Sequence, residues 1–290
     1  MHNNNKLLKL EILISTMFQT DLLFLEKMFP HEHFSNFNII IVNQTSEDKI
    51  LESTYPNIKV ANSFERGSPA SRNLAIRLGT ADVFLMSDDD IVYEKGLEET
   101  ILGAHRKHED AGMISFEAIN EQHELYTNYY PEGEHTKKSL LKIYTWVITF
   151  KREVFQDHEI YFNHHFGVGS TFKGSTEYVF LRNAFDKGLK MIHISKVIVM
   201  HPNLSSGVLM GSDNAFFSRT ARMQRFIGNL SYIWLIKYVL FTWRHQYIKF
   251  TDIPYKFKLG LQGISKYKEL ETKGEINKIH VSQNYRYTEN

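Results

Sequence analysis

Short apolar runs recur along the first two hundred residues, each closed by polar or turn-forming positions. Residues 10–17, 37–42, 58–61, 83–86 and 112–117 are continuous, largely β-branched runs. Such runs read as buried strands rather than as half-exposed ones, whose pattern would alternate. Between them lie helix-period segments at 22–28, 47–53, 68–78 and 95–107, the first capped by Thr20 or Asp21 and ended by Pro30. Strands alternating with helices at this spacing predict βαβ units, an α/β fold and a mostly parallel sheet flanked by helices. Gly67 precedes Ser68, a good N-cap, and Pro69, a good first helical residue, which puts Arg72 and Asn73 near the helix end that attracts anions.

The pattern changes at residue 118. Residues 118–145 are polar and aromatic, with Tyr126, Tyr129, Tyr130 and a Pro131-Glu132-Gly133 turn, and predict an irregular excursion or hairpin. A strand over 144–150, a short helix at 152–155 and a glycine-rich loop over 162–176 follow. Glu177 then opens a helix ending near Gly188, and strands at 191–194 and 197–200 run into His201-Pro202. After Leu204 a glycine- and serine-rich loop leads to Arg219, Arg222 and Arg225.

Residues 226–243 are strongly apolar and aromatic, the length of a membrane span, but carry Lys237 in the middle, which disfavours insertion by about 3 kcal/mol. From Lys237 to Lys268 there are seven basic residues and one acid, Asp252. This amphipathic, helical extension suits the surface of an anionic membrane; the plainer reading is a helix packed on the core with a solvated basic stretch behind it. Residues 275–290 read as a tail. The division expected is one unit over 1–225, with halves at about 10–117 and 118–225, and the extension over 226–290.

Composition narrows the function. A formal charge of +1 argues against a nucleic-acid partner. With no cysteine there is no disulfide, thiol nucleophile or thiolate metal site, which fits a cytoplasmic protein. The polar, asparagine-rich start is not a signal peptide. Neither a G-x-x-x-x-G-K-[ST] run nor a G-x-G-x-x-G after the first strand is present, so P-loop and dinucleotide sites are not expected.

The chemistry gathers where the run 83–86 stops, at Asp88-Asp89-Asp90. Three adjacent carboxylates repel one another, and a divalent cation with oxygen ligands relieves them. The bland alternative is a solvated acidic turn ahead of the next helix. In open α/β sheets, ligands sit at the carboxyl ends of strands, where these acids lie.

Taken in order, Ser15-Thr16-Met17, Asn43-Gln44-Thr45, Gly67-x-x-x-Ser71-Arg72-Asn73, Asp88-Asp89-Asp90, Phe166-Gly167-x-Gly169, Glu177 within Thr176-Glu177-Tyr178, and the strand-ending His201-Pro202 resemble the family-two glycosyltransferases of bacteria, over about residues 10–225. The resemblance implies a GT-A fold and an inverting sugar transfer from a nucleotide-sugar, commonly UDP-linked, with Mn²⁺ or Mg²⁺. The acceptor would be a hydroxyl of a glycan or lipid-linked saccharide in surface polysaccharide synthesis. By the same resemblance the aspartates match a D-x-D motif in either of two alignments, so that one or two of Asp88, Asp89 and Asp90 hold the metal, Asp88 and Asp90 being taken as the ligands with His201, and Glu177 matches the catalytic base. Ser15, Thr16, Asn43, Gln44, Gly67, Arg72, Asn73, Asp88 and Asp89 fall at nucleotide-sugar-binding positions.

The family usually shows two acids together after a glycine at the base, whereas here Gly174-Ser175-Thr176 precedes Glu177. An acid in a first helical turn is also favoured by the helix dipole alone. Arg219 and Arg222 are placed either to close over a diphosphate or to form a basic approach to a membrane, which would make the protein peripheral on the inner face of the cell membrane. The processive Q-x-x-R-W motif is absent, since Gln224-Arg225-Phe226 has the wrong spacing. Two other classes compete. A sugar-nucleotide nucleotidyltransferase needs a glycine-rich basic loop after the first strand, where this chain has Ser15-Thr16-Met17-Phe18-Gln19-Thr20. A non-catalytic membrane-associated module predicts no metal-dependent nucleotide binding.

Overall fold

The computed structural model describes residues 7–202 and 210–288. The expected loop after Leu204 falls largely on residues 203–209, outside the described residues. The remainder is an α/β fold around one ten-stranded sheet. Strands β1 (Leu10–Met17), β2 (Ile39–Gln44), β3 (Ile58–Ser63) and β4 (Val83–Asp88) pair in parallel in the order β3-β2-β1-β4. Their apolar runs are buried on both faces, as the unbroken pattern requires; Ile12, Leu13 and Ile14 are all at or below 1% exposure.

The chain builds outward from β1 to β3 and then returns to lay β4 on the other side of β1. The strand order therefore reverses between β1 and β4, where an open α/β sheet leaves a crevice at its carboxyl edge. Ser15 stands opposite Asp88 in that register. Helix α2 (Ser68–Leu78) makes the return and packs against β1 and β2, while α1 (Leu23–Met28) and α3 (Leu97–Lys107) flank the sheet.

Beyond β4 the sheet is mixed. Strand β6 (Met113–Ile119) does not pair with β4. Strand β8 (Ile148–Lys151) inserts antiparallel between them, with Phe84 and Phe150 meeting edge to face at 5.7 Å. The runs expected as two strands form one, β9 (Met191–Met200), parallel to β6 with a register irregularity near Glu117. Short strands β5 (Val92–Tyr93) and β7 (Gly133–Glu134) edge β9, and α4 (Arg152–Asp157) follows β8. The excursion over 118–145 is irregular, as expected.

Three local expectations are corrected. No helix forms over 47–53. The buried Asn62 side chain takes both backbone groups of Leu51, at 2.8 and 2.9 Å, and so displaces the bonds a helix would need. Helix α2 is capped by Gly67 rather than Ser68, whose N–H donates to the Val168 carbonyl at 3.0 Å. The C-terminal residues are not a tail: β10 (Tyr285–Thr288) adds antiparallel to β3. Glu65 secures it, accepting from the N–H groups of Gln283 and Asn284 at 2.7 and 2.8 Å.

The segment after residue 212 is largely helical. Helices α6 (Asp213–Ile227), α7 (Leu230–Arg244) and α8 (Ile253–Thr272) pack together around Phe216, Leu235, Val239 and Ile264. Gly263 allows α8 to close on α6, because a Cβ there would lie 2.2 Å from the Phe217 carbonyl oxygen. Among the described residues no helix is long and apolar enough to cross a membrane.

Candidate active site

The three aspartates leave the end of β4 in three directions, each meeting a different partner. Asp88 accepts from Arg72 Nη2 at 2.8 Å. Asp89 turns to the end of β1, taking hydrogen bonds from the Thr16 hydroxyl and, at 3.2 Å, from Gln19 Nε2. Asp90 faces His201, with Oδ1 and Nε2 3.6 Å apart. Fanning them apart lowers their mutual repulsion without a lysine in their midst. Burial, with Asp88 and Asp89 nearby, still holds the Asp90 carboxyl above its ordinary pKa, against the opposing pull of His201.

Glu177 lies in the first turn of α5 (Thr176–Asp186), far along the chain, yet reaches the same guanidinium: Arg72 Nη1 stands 3.4 Å from Glu177 Oε1. Thr145 donates its hydroxyl to that oxygen at 2.6 Å. Arg72 is buried to 8% side-chain exposure, whereas Asp88 and Glu177 each retain 30%. Burial opposes its charge, but the two carboxylates outweigh that and hold Arg72 above its ordinary pKa. One buried cation thus joins Asp88 to Glu177 and ties the start of α5 to the end of β4.

The glycine-rich loop brings α5 there. Gly167 packs onto the start of α2, where a Cβ would meet Ser68 Oγ at 2.7 Å and Thr176 Oγ1 at 2.8 Å. Only glycine permits this approach, which couples the Arg72 helix to the Glu177 helix.

His201 is oriented from behind. Its Nδ1 donates to the Pro202 carbonyl at 2.6 Å, so in the neutral ring the lone pair sits on Nε2, aimed at Asp90. Two electron-pair donors converging on one point suit a cation between them. Among the described residues no group of three or more carboxylate and imidazole side chains is gathered for a metal, and Asp88 is turned to Arg72 rather than to His201. A divalent ion held by Asp90 and His201 would need further oxygen ligands to complete its shell.

The other expected donor-site residues divide into two groups. Ser15 stands opposite Asp88, its Oγ buried without a hydrogen-bond partner among the described residues. Asn43, Gln44 and Asn73 are buried and committed to the frame. Asn43 bonds the Gln19 backbone and Asn62, Gln44 accepts from the Gly67 N–H, and Asn73 bonds Phe162 and the His280 carbonyl. The sequence reading missed Gln19 and Thr145, which hold Asp89 and Glu177. It also missed an aromatic shelf. Tyr144 stacks on Trp146 at 5.0 Å, Trp146 stacks on His201 at 4.7 Å, and Tyr126 meets all three rings edge-on. The aromatic richness of 118–145 was the available signal; which rings converge was not. Arg219 and Arg222 lie on α6, with Arg222 over the Tyr178 ring at 4.8 Å, one residue from Glu177.

Comparison with known proteins bears on the family and the fold. Residues 25–177 match the family model described as glycosyl transferase family 2. No similar sequence was found among curated proteins. Among solved structures, S. aureus TarS 1-349 in complex with UDP-GlcNAc superposes with a TM-score of 0.55 at 13% identity, covering 97% of this chain and 99% of that one. The same TarS region in complex with UDP gives a TM-score of 0.55 at 12% identity, covering 97% of both chains. At these identities the structural likeness speaks to the fold, which is the GT-A type that the sequence motifs imply. The family match covers more than half of the chain, including α2, the three aspartates and Glu177, and on that ground the protein belongs to glycosyl transferase family 2.

Proposed function

We propose that the protein moves a sugar, with inversion, from a UDP-sugar to a hydroxyl of a glycan or lipid-linked acceptor, in the synthesis of a surface polysaccharide. The observation that supports this reading is the Arg72 bridge, which brings Glu177 to the same guanidinium as Asp88 at the end of β4. The complexes of TarS with UDP-GlcNAc and with UDP support the donor class.

In this reaction the acceptor oxygen attacks the anomeric carbon as its proton passes to the Glu177 carboxylate. The bond from the anomeric carbon to the diphosphate oxygen breaks, and its electron pair leaves on the nucleoside diphosphate. A single displacement inverts the anomeric centre. Thr145 and Arg72 hold Glu177 in one orientation, which keeps the base within reach of the incoming hydroxyl. Thr16, Gln19 and Ser15 edge the donor side through Asp89 and the end of β1. Asp90 and His201 are the residues that would hold Mn²⁺ or Mg²⁺, with Asp88 engaged by Arg72 instead, and the ion would offset the charge developing on the leaving group. Tyr144, half-buried and stacked flat on Trp146 beside Thr145, would give the acceptor sugar an apolar ring face.

Calorimetry with UDP, with and without Mn²⁺, tests the reading, followed by a panel of nucleotide-sugars assayed for donor hydrolysis. Binding of UDP strengthened by Mn²⁺, and lost in Asp90→Asn, is the expected result. Failure of UDP to bind under either condition overturns the proposed donor. Formation of a nucleotide-sugar from a sugar phosphate and a nucleoside triphosphate would instead establish the nucleotidyltransferase reading.

A further inference from the structure

Helix α7 is apolar on two faces. Ser231, Leu235, Tyr238, Val239 and Thr242 pack inward, at the spacing of a core-facing stripe. The opposite face is also apolar yet open: Leu230, Ile233, Ile236, Leu240, Phe241 and Trp243 are between 41% and 61% exposed. Tyr247 and Phe250 extend it past the helix end, at 50% and 70%. Scattered exposed apolar residues are ordinary, but a contiguous stripe of this size marks a surface that is covered in use.

Charge identifies the cover. Lys237 and Arg244, seven residues apart and both exposed, stand on this same face, with exposed Lys249 beyond them. No carboxylate occurs from Gly228 to Thr251. A second copy pairing through this face would therefore set like charges into an apolar contact with no acid to meet them. An anionic bilayer satisfies both features: apolar side chains enter the acyl boundary, while the long lysine and arginine stems carry their charges up to lipid phosphates. The aromatic rings Trp243 and Tyr247 suit the same depth. Since the helix, at 15 residues, is too short to cross, it would lie in the plane of the surface.

We propose that the outward face of α7, continued by Tyr247 to Phe250, docks the protein on an anionic membrane surface. This stands on observations separate from the catalytic crevice. The test is co-sedimentation of the full chain with vesicles of equal parts phosphatidylcholine and phosphatidylglycerol, against pure phosphatidylcholine, at low and high salt. Binding to the anionic vesicles that weakens with salt is expected. Lys237→Gln with Arg244→Gln should weaken it about twenty-five-fold, at about five-fold for each surface cation. Ile233→Asp with Leu240→Asp should abolish it. Circular dichroism checks that each variant folds. UDP binding is expected to be the same in all of them, and its absence from the wild type too would refute the donor reading and not this one. The inference is overturned if the wild type does not bind anionic vesicles at low salt, or if the folded charge variant binds as tightly as the wild type. It is equally overturned if the wild type is a dimer that Ile233→Asp with Leu240→Asp dissociates while vesicle binding is absent.

Discussion

Replacing Glu177 by Gln separates a catalytic carboxylate from a structural one, because the two roles predict losses of different size. Glutamine keeps the shape of the side chain and an oxygen for the Thr145 hydroxyl, and removes only the charge facing Arg72 at 3.4 Å. At an effective dielectric of about 20 that pair has a gross Coulomb term of roughly 5 kcal/mol. Glu177 is 30% exposed, however, and Arg72 keeps Asp88 at 2.8 Å, so solvent and the second carboxylate reduce the stability loss to about 1 kcal/mol. Loss of a general base costs about 10² to 10⁴ in rate, or roughly 3–5 kcal/mol of transition-state stabilisation. The expected result is a kcat reduced by at least about a hundredfold, UDP affinity within a few-fold of wild type, and a urea midpoint only slightly lowered. Turnover measured by UDP release, calorimetry with UDP and urea unfolding read the three quantities. Turnover within tenfold of wild type would remove Glu177 from the role of base. A variant that unfolds or loses UDP binding in step with activity would assign it to the frame instead.

Arg72→Met should cost more stability than Glu177→Gln, about 2 kcal/mol, since it leaves two carboxylates facing each other in a partly buried crevice; equal urea midpoints for the two variants would refute the bridge. Acid should destabilise the protein early. His105 and His135 are buried, and burial lowers each to a pKa of about 3. Because the unfolded histidine takes up a proton near pH 6.5 and the folded one does not, stability is full above that pH and is lost as pH falls below it. At pH 5 the loss is about 2 kcal/mol for each histidine. The Thr149 hydroxyl donates to the Ile114 carbonyl, so His105 Nε2 donates to Thr149 and a proton on Nδ1 would have no acceptor. Urea unfolding at pH 7 and pH 5 measures this, and unchanged stability would contradict it. Glu65→Gln should loosen β10, seen as faster amide exchange at Gln283 and Asn284 while the β1 and β4 amides stay protected.

The candidate residues were legible because they sit where local rules put them. The aspartates end a buried strand, Arg72 and Asn73 open a helix after glycine, Glu177 opens another, and His201 ends a strand. Each is an element boundary, and boundaries are what hydrophobic patterning reveals. The helix expected over 47–53 failed because Asn62, eleven residues past Leu51, offered its backbone a better partner than its own turn did. The supposed tail became an edge strand because β3 left an open edge and Glu65 could accept two of the incoming N–H groups.

Taken alone, the sequence determined the alternation of strands and helices, the parallel half, and the residue types at the strand ends, because apolar period and turn chemistry act over a few neighbours. Only the tertiary structure decided which of those ends share a crevice: Arg72 touching Asp88 and Glu177, the aspartates parting toward Thr16 and His201, and β8 inserting between β4 and β6. Those contacts join residues more than a hundred positions apart, as Arg72 and Glu177 or Asp90 and His201, and their partners are chosen by packing and by the cost of burying an unpaired charge, neither of which leaves a mark at short range.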